Sequence, residues 1–145
     1  FSIIYSDTSA ANQHFNPQKA EKYFNQIIEL YPTDNQVYYN YGKYKQDVSL
    51  YKDALVYYNM ALELDSLNKQ TYYNMGFCAM QIKDYQRSIL YFTKCINLDN
   101  SFLMGYHARA YLYELSNERK KAIRDWKNCL LLNPSYIPAL EGLSK

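Results

Sequence analysis

Glycine and proline are scarce here, at four each in 145 residues. So few breakers exclude a sandwich or barrel with frequent turns and leave room for long helices. Cysteine is also sparse. Cys78, Cys95 and Cys129 are odd in number and include no C-x-x-C pair, which argues against a disulfide framework or a zinc site. Neither sign of charge dominates: 16 basic and 14 acidic residues leave a net charge of +2. The longest basic run, Arg119-Lys120-Lys121, reads as a solvated helix face, so nothing resembles a nucleic-acid footprint. No stretch approaches the roughly 18 apolar residues of a membrane span. Histidine occurs twice, as His14 and His107, neither with a metal-ligating companion four residues on. The G-x-G-x-x-G, P-loop, H-E-x-x-H and G-x-S-x-G motifs are missing. The expectation is therefore no catalytic residue, no metal and no cofactor. The chain does not begin with methionine. Phe1 to Ser6 read either as the remnant of an apolar leader or as part of a first helix. Location stays open between the cytoplasm, which unpaired thiols fit, and a bacterial periplasm or envelope.

What the chain has is apolar content, 48%, and tyrosine, 18 residues. That supports a sizeable core and excludes disorder. It also repeats itself. At an offset of 34, Tyr38 falls on Tyr72 and Tyr106, Gly42 on Gly76 and Ala110, and Ala54 on Ser88 and Ala122. Tyr58 falls on Phe92 and Trp126, Ala61 on Cys95 and Cys129, and Leu64 on Leu98 and Leu132. Backwards, the pattern continues through Ala20, Phe24, Ile27, Leu30 and Pro32. Spacings of three and four put each set on one helical face. Glycine inside a helix costs about 1 kcal/mol relative to alanine. Its recurrence at Gly42 and Gly76 predicts a close helix contact, met from the second helix by Ala54, Ser88 and Ala122.

Breakers and caps set the elements. Pro32 and Pro134 follow apolar helix ends. Asn16 precedes Pro17 as a cap before proline at the first helical position, and Asp84 caps a helix starting near Tyr85. Second-of-pair helices are predicted at 17–31, 51–65, 85–99 and 119–132. First-of-pair helices are predicted at 35–48, 69–82 and 103–116, with a closing helix at 136–144. The organisation expected is an N-terminal extension or degenerate first helix (1–16), the second helix of a first repeat (17–34), repeats at 35–68, 69–102 and 103–136, and a closing helix at 137–145.

These residues resemble the tetratricopeptide repeat, a family of 34-residue helix-turn-helix units. Its aromatic, leucine, small and proline positions correspond to Tyr38, Tyr41, Gly42, Ala54, Tyr58 and Ala61, then Tyr72, Met75, Gly76, Ser88, Phe92 and Cys95. In the last unit they match Tyr106, Ala110, Tyr113, Ala122, Trp126, Cys129 and Pro134. The resemblance implies an all-α, right-handed superhelical solenoid of antiparallel helix pairs, about three and a half repeats plus a closing helix. Arg109 departs from the family's leucine, which predicts that its helix turns its face or that the arginine snorkels outward.

The resemblance also implies a concave groove lined by the first helix of each pair. The residues placed there are Tyr39, Asn40 and Lys43, then Tyr73, Asn74 and Phe77, then His107 and Tyr111. Asparagine amides suit an extended peptide backbone, and tyrosines supply rigid contact area. The expected function is a non-catalytic adaptor binding a protein or peptide. The alternatives are a structural subunit of a larger, including a cell-envelope, assembly, and a regulatory domain cut from a longer protein. Some family members clamp a chaperone's C-terminal carboxylate with lysine, arginine and asparagine. The corresponding residues here are Tyr5, Ser9, Asn40, Gln70 and Asn74, or Tyr39, Lys43, Asn74, Met104 and Ala108. A carboxylate needs charge-assisted partners, so no such clamp is expected.

Overall fold

Side chains at the helix starts set the frame. The Asn16 carboxamide accepts the Lys19 N–H at 3.1 Å, Asp34 accepts that of Gln36 at 2.9 Å, and Asp84 accepts that of Arg87 at 3.2 Å. Asn68 takes two N–H groups, those of Gln70 and Thr71. Each satisfies a donor that the first turn would otherwise leave open. In this computed structural model, which describes residues 16–145, eight helices follow among the described residues. They are α1 (Pro17–Leu30), α2 (Asn35–Asp47), α3 (Tyr51–Leu64), α4 (Lys69–Gln81), α5 (Tyr85–Leu98), α6 (Leu103–Leu115), α7 (Arg119–Leu132) and α8 (Ile137–Leu143). No strand occurs among the described residues. The expectations placed on residues 1–15, including Tyr5, Ser9 and His14, lie outside them.

The turns repeat as faithfully as the helices. Within each pair the first helix ends on a left-handed residue, Ser49, Lys83 or Asn117, with φ of 64°, 64° and 59°. The next N–H then reaches back, from Leu50, Asp84 and Glu118 to the carbonyls of Lys45, Ala79 and Tyr113, closing the helix end. Between pairs, Asp65, Asp99 and Asn133 each accept the N–H two residues on. Three-residue turns of one geometry fold α2 against α3, α4 against α5 and α6 against α7, and each pair also packs on the next. The result is a right-handed solenoid of antiparallel helix pairs.

The core follows that logic. One cluster, Phe24 with Tyr41 and Tyr44, joins α1 to α2. A second, Tyr58 with Met75 and Cys78, joins α3 to α4. A third joins Ala110 and Trp126 to Ala139 of α8. Each therefore buries apolar surface across neighbouring helices, as stacked repeats require.

Two expectations change. The glycines make room for rings more than for backbones. A Cβ on Gly76 would lie 2.6 Å from Phe92, and one on Gly42 would lie 2.7 Å from Tyr58. Ser88 does meet Gly76, but by donating its hydroxyl to the Gly76 carbonyl at 2.6 Å. Arg109 neither turns its helix nor snorkels. Its guanidinium grips the buried Asp125 carboxylate through Nε and Nη2 at 2.7 and 2.8 Å and donates to Thr93 at 3.1 Å. That planar fork matches a carboxylate as an ammonium could not. Leu64, Leu98 and Leu132 share the repeat, yet each is the last residue of its helix and stays 39–43% exposed.

Candidate binding groove

The residues proposed for the groove lie on α2, α4 and α6. Packing spends them unequally. Asn74 is buried. Its amide donates to the Tyr39 hydroxyl at 3.0 Å and its oxygen accepts from Gln70 at 3.2 Å. It therefore ties α2 to α4 and presents little accessible surface to a ligand. Asn40 is partly exposed and accepts from Gln36 at 3.1 Å. Asn74 is thus a structural amide and Asn40 a more accessible one.

The aromatic residues divide similarly. The Tyr39 ring lies 5.7 Å from Tyr58. Tyr73 sets an edge against Phe92 and Phe102 at 5.5 and 5.4 Å, and burial raises its hydroxyl pKa. Phe77 meets Tyr51 edge-on at 6.0 Å. Lys43 pairs with Asp47 one turn on, at 2.5 Å. His107 Nδ1 bonds the Tyr136 hydroxyl and its ring meets Trp126 at 5.3 Å. Burial lowers its pKa from 6.5, favouring the neutral imidazole. Tyr111 has no such tie among the described residues and is 47% exposed.

Two features lie outside the eight residues named for the groove. Met104 and Leu115 stand 40% and 48% exposed on α6, on the same face as Tyr111. Their positions, with Ala108 between, follow a four-three-four spacing that puts them in one stripe; that signal was legible in the sequence. The second is a cavity of about 210 Å³ between α1 and α2, bordered by Phe24, Ile27, Tyr31, Val37 and Asn40. Its α1 side was assigned only to packing.

The chemistry of the remaining groups is subdued. Burial pushes the Cys78 thiol up to about 12 and those of Cys95 and Cys129 up to about 11, so all three are protonated and poor nucleophiles at neutral pH. Among the described residues, no group of three or more His, Cys, Asp or Glu is placed to hold a metal ion. Nor is any helix among them long and apolar enough to cross a membrane.

The family model described as Tetratricopeptide repeat matches residues 69–102. The fold of the described residues is that of a tetratricopeptide-repeat solenoid. A search of the curated proteins found no match. Among solved structures, MamA superposes with a TM-score of 0.80 at 22% identity, over 86% of this chain and 72% of that one. YrrB, described as a TPR protein with an unusual peptide-binding site, gives 0.77 at 17%, over 88% and 66%. The first TPR of Spaghetti (RPAP3), bound to the HSP90 peptide SRMEEVD, gives 0.71 at 18%, over 77% and 88%. At these identities the likeness shows the fold. Tetratricopeptide repeats are, as a family, generally protein-interaction repeats.

Proposed function

We propose that this solenoid is a non-catalytic module that holds a peptide or protein segment along the face of α2, α4 and α6. Its units are taken as 35–68, 69–102 and 103–136, with 17–34 as half a unit and 137–145 as the closing helix. The observation that carries the reading is the exposed stripe Met104, Tyr111 and Leu115 on α6. Large apolar side chains left in water along one helix face are the surface a partner gains most by covering. Tyr39, Asn40, Lys43, Tyr73, Asn74, Phe77 and His107 continue that face, with Asn74 holding Tyr39 in place. The buried, protonated thiols and the neutral, tethered His107 fit a role without chemistry.

Peptides selected from a random library against this chain test it. Met104→Ala with Tyr111→Ala and Leu115→Ala should weaken the selected peptides by about tenfold or more while leaving the circular dichroism spectrum unchanged. Equal binding by the folded triple variant would reject the groove. The peptide SRMEEVD, which the Spaghetti structure holds, should not bind. Of the residues at the clamp positions here, Lys43 is the one cation, and Asp47 engages it.

A further inference from the structure

We propose that the outer face of α7 is a docking surface for an anionic lipid bilayer. Lys120, Arg124, Lys127 and Leu131 are all exposed. Their spacing of four, three and four places them in one row, on the side of the helix away from the buried Ala122 and Cys129. Among the described residues none of the three cations forms an ion pair. The acids of this region are already engaged, Asp125 by Arg109 and Glu118 by Lys121.

The concentration of charge is particular to this unit. The corresponding row on α1 is Gln18, Lys22, Asn25 and Glu29, and on α3 it is Lys52, Val56, Asn59 and Glu63. Each of those rows balances one cation with one acid. On α5 the row is Gln86, Leu90, Thr93 and Asn97, with no charge. Only on α7 does the row become wholly basic and then end in leucine. Leu131 is 82% exposed, the highest value for a large apolar side chain among the described residues. Ile137, which opens α8, is 64% exposed.

Cations in a line with a protruding apolar side chain suit a surface that is negative outside and apolar just beneath. The row forms a ridge along a helix crown. A yielding layer of phosphate headgroups conforms to a ridge of long, mobile side chains, whereas a folded partner would need a matching trough. This surface is separate from the groove, so it neither requires nor supports the peptide-binding reading.

Vesicle sedimentation with the full chain tests the assignment. The protein should pellet with phosphatidylcholine vesicles containing phosphatidylglycerol, not with phosphatidylcholine alone, and added salt should release it. Lys120→Glu with Arg124→Glu and Lys127→Glu should reduce the anionic-vesicle affinity by about a hundredfold or more. Leu131→Ser should reduce it by a smaller factor. Unchanged thermal melting of both variants shows that the fold survives. Failure of the wild-type chain to bind anionic vesicles overturns the proposal, as does full binding by the charge-reversed variant. So would binding through this row to soluble poly-glutamate but not to vesicles, which would assign the surface to an acidic macromolecule.

Discussion

The units at 69–102 and 103–136 solve one packing problem with different chemistry. In the first, Met75 lies at the heart of an apolar cluster with Tyr91 against it. In the second, the same two places hold Arg109 and Asp125, joined as a buried bidentate pair. In the first, glycine admits the Phe92 ring. In the second, alanine stands in that place and the larger Trp126 ring lies against Gly142 of α8, with its indole N–H given to Glu114 at 2.9 Å. A departure from the repeat's pattern is tolerated when the residue it faces departs with it. The unit at 35–68 gives a third solution, Tyr41 stacked on Tyr57 with centroids 4.0 Å apart.

The most severe test of that lesson removes half of a pair. Arg109→Met would leave the Asp125 carboxylate, 1% exposed, with Asn128 at 3.5 Å as its remaining side-chain partner. Breaking a buried ion pair in this way costs about 3–5 kcal/mol, read as a drop in the urea midpoint. Adding Asp125→Tyr transplants the pair of the preceding unit and should recover most of the loss. A double variant no more stable than Arg109→Met would mean that the two units are not interchangeable at this place.

The glycine place offers a milder contrast. Gly76→Ala gains helix propensity, about 1 kcal/mol, but drives a Cβ to within 2.6 Å of Phe92. Overpacking of this kind costs about 1–3 kcal/mol, so the net effect should be destabilising. Ala110→Gly should cost about 1 kcal/mol from propensity alone. Calorimetric melting of both distinguishes a ring-filled site from a plain helical one; a stabilised Gly76→Ala would show that Phe92 moves aside freely.

The period of 34 made the helices legible, because every unit must present the same faces to its neighbours. Proline and the Asn16 and Asp84 caps located several ends to within a residue or two. The pairing of Arg109 with Asp125 was not legible. It joins residues 16 apart whose types, taken singly, suggest exposed surface, and only the fold sets them face to face. The candidate groove residues were legible as a set of helix positions, but not which of them packing would bury. Asn40 and Asn74 are equivalent in sequence, yet Asn74 is buried and donates across to the Tyr39 hydroxyl of α2, whereas Asn40 bonds Gln36 of its own helix.

A smaller gain comes from the turns. Lys83 holds φ of 64° and Asn117 of 59°, in equivalent places. The left-handed region strains a side chain such as lysine and suits glycine, with asparagine intermediate. Lys83→Gly should therefore stabilise by about 0.5–1 kcal/mol, and Asn117→Gly by less. Equal shifts in melting temperature would mean that the asparagine side chain gives no relief at this turn.

The subtlest difference is one of pH. Tyr39, Tyr73 and His107 occupy one place in successive units, and His107 alone titrates near neutrality. Burial lowers its folded-state pKa from 6.5. As pH falls below 6.5 the unfolded chain takes up the proton first, so stability is full above that value and declines as pH approaches the lowered one. Glu114, whose half-buried carboxyl nonetheless titrates low through Trp126 and Lys145, and Asp99, held down by Lys69 and Ser101, add their losses only further into acid, below the ordinary carboxylate range. His107→Tyr installs the residue of the two preceding units. Urea unfolding of both proteins should show that the wild type loses stability on descending from neutrality toward that carboxylate range, and that the variant loses less. Parallel curves would place the neutral imidazole outside the forces that hold α6 to the Tyr136 turn.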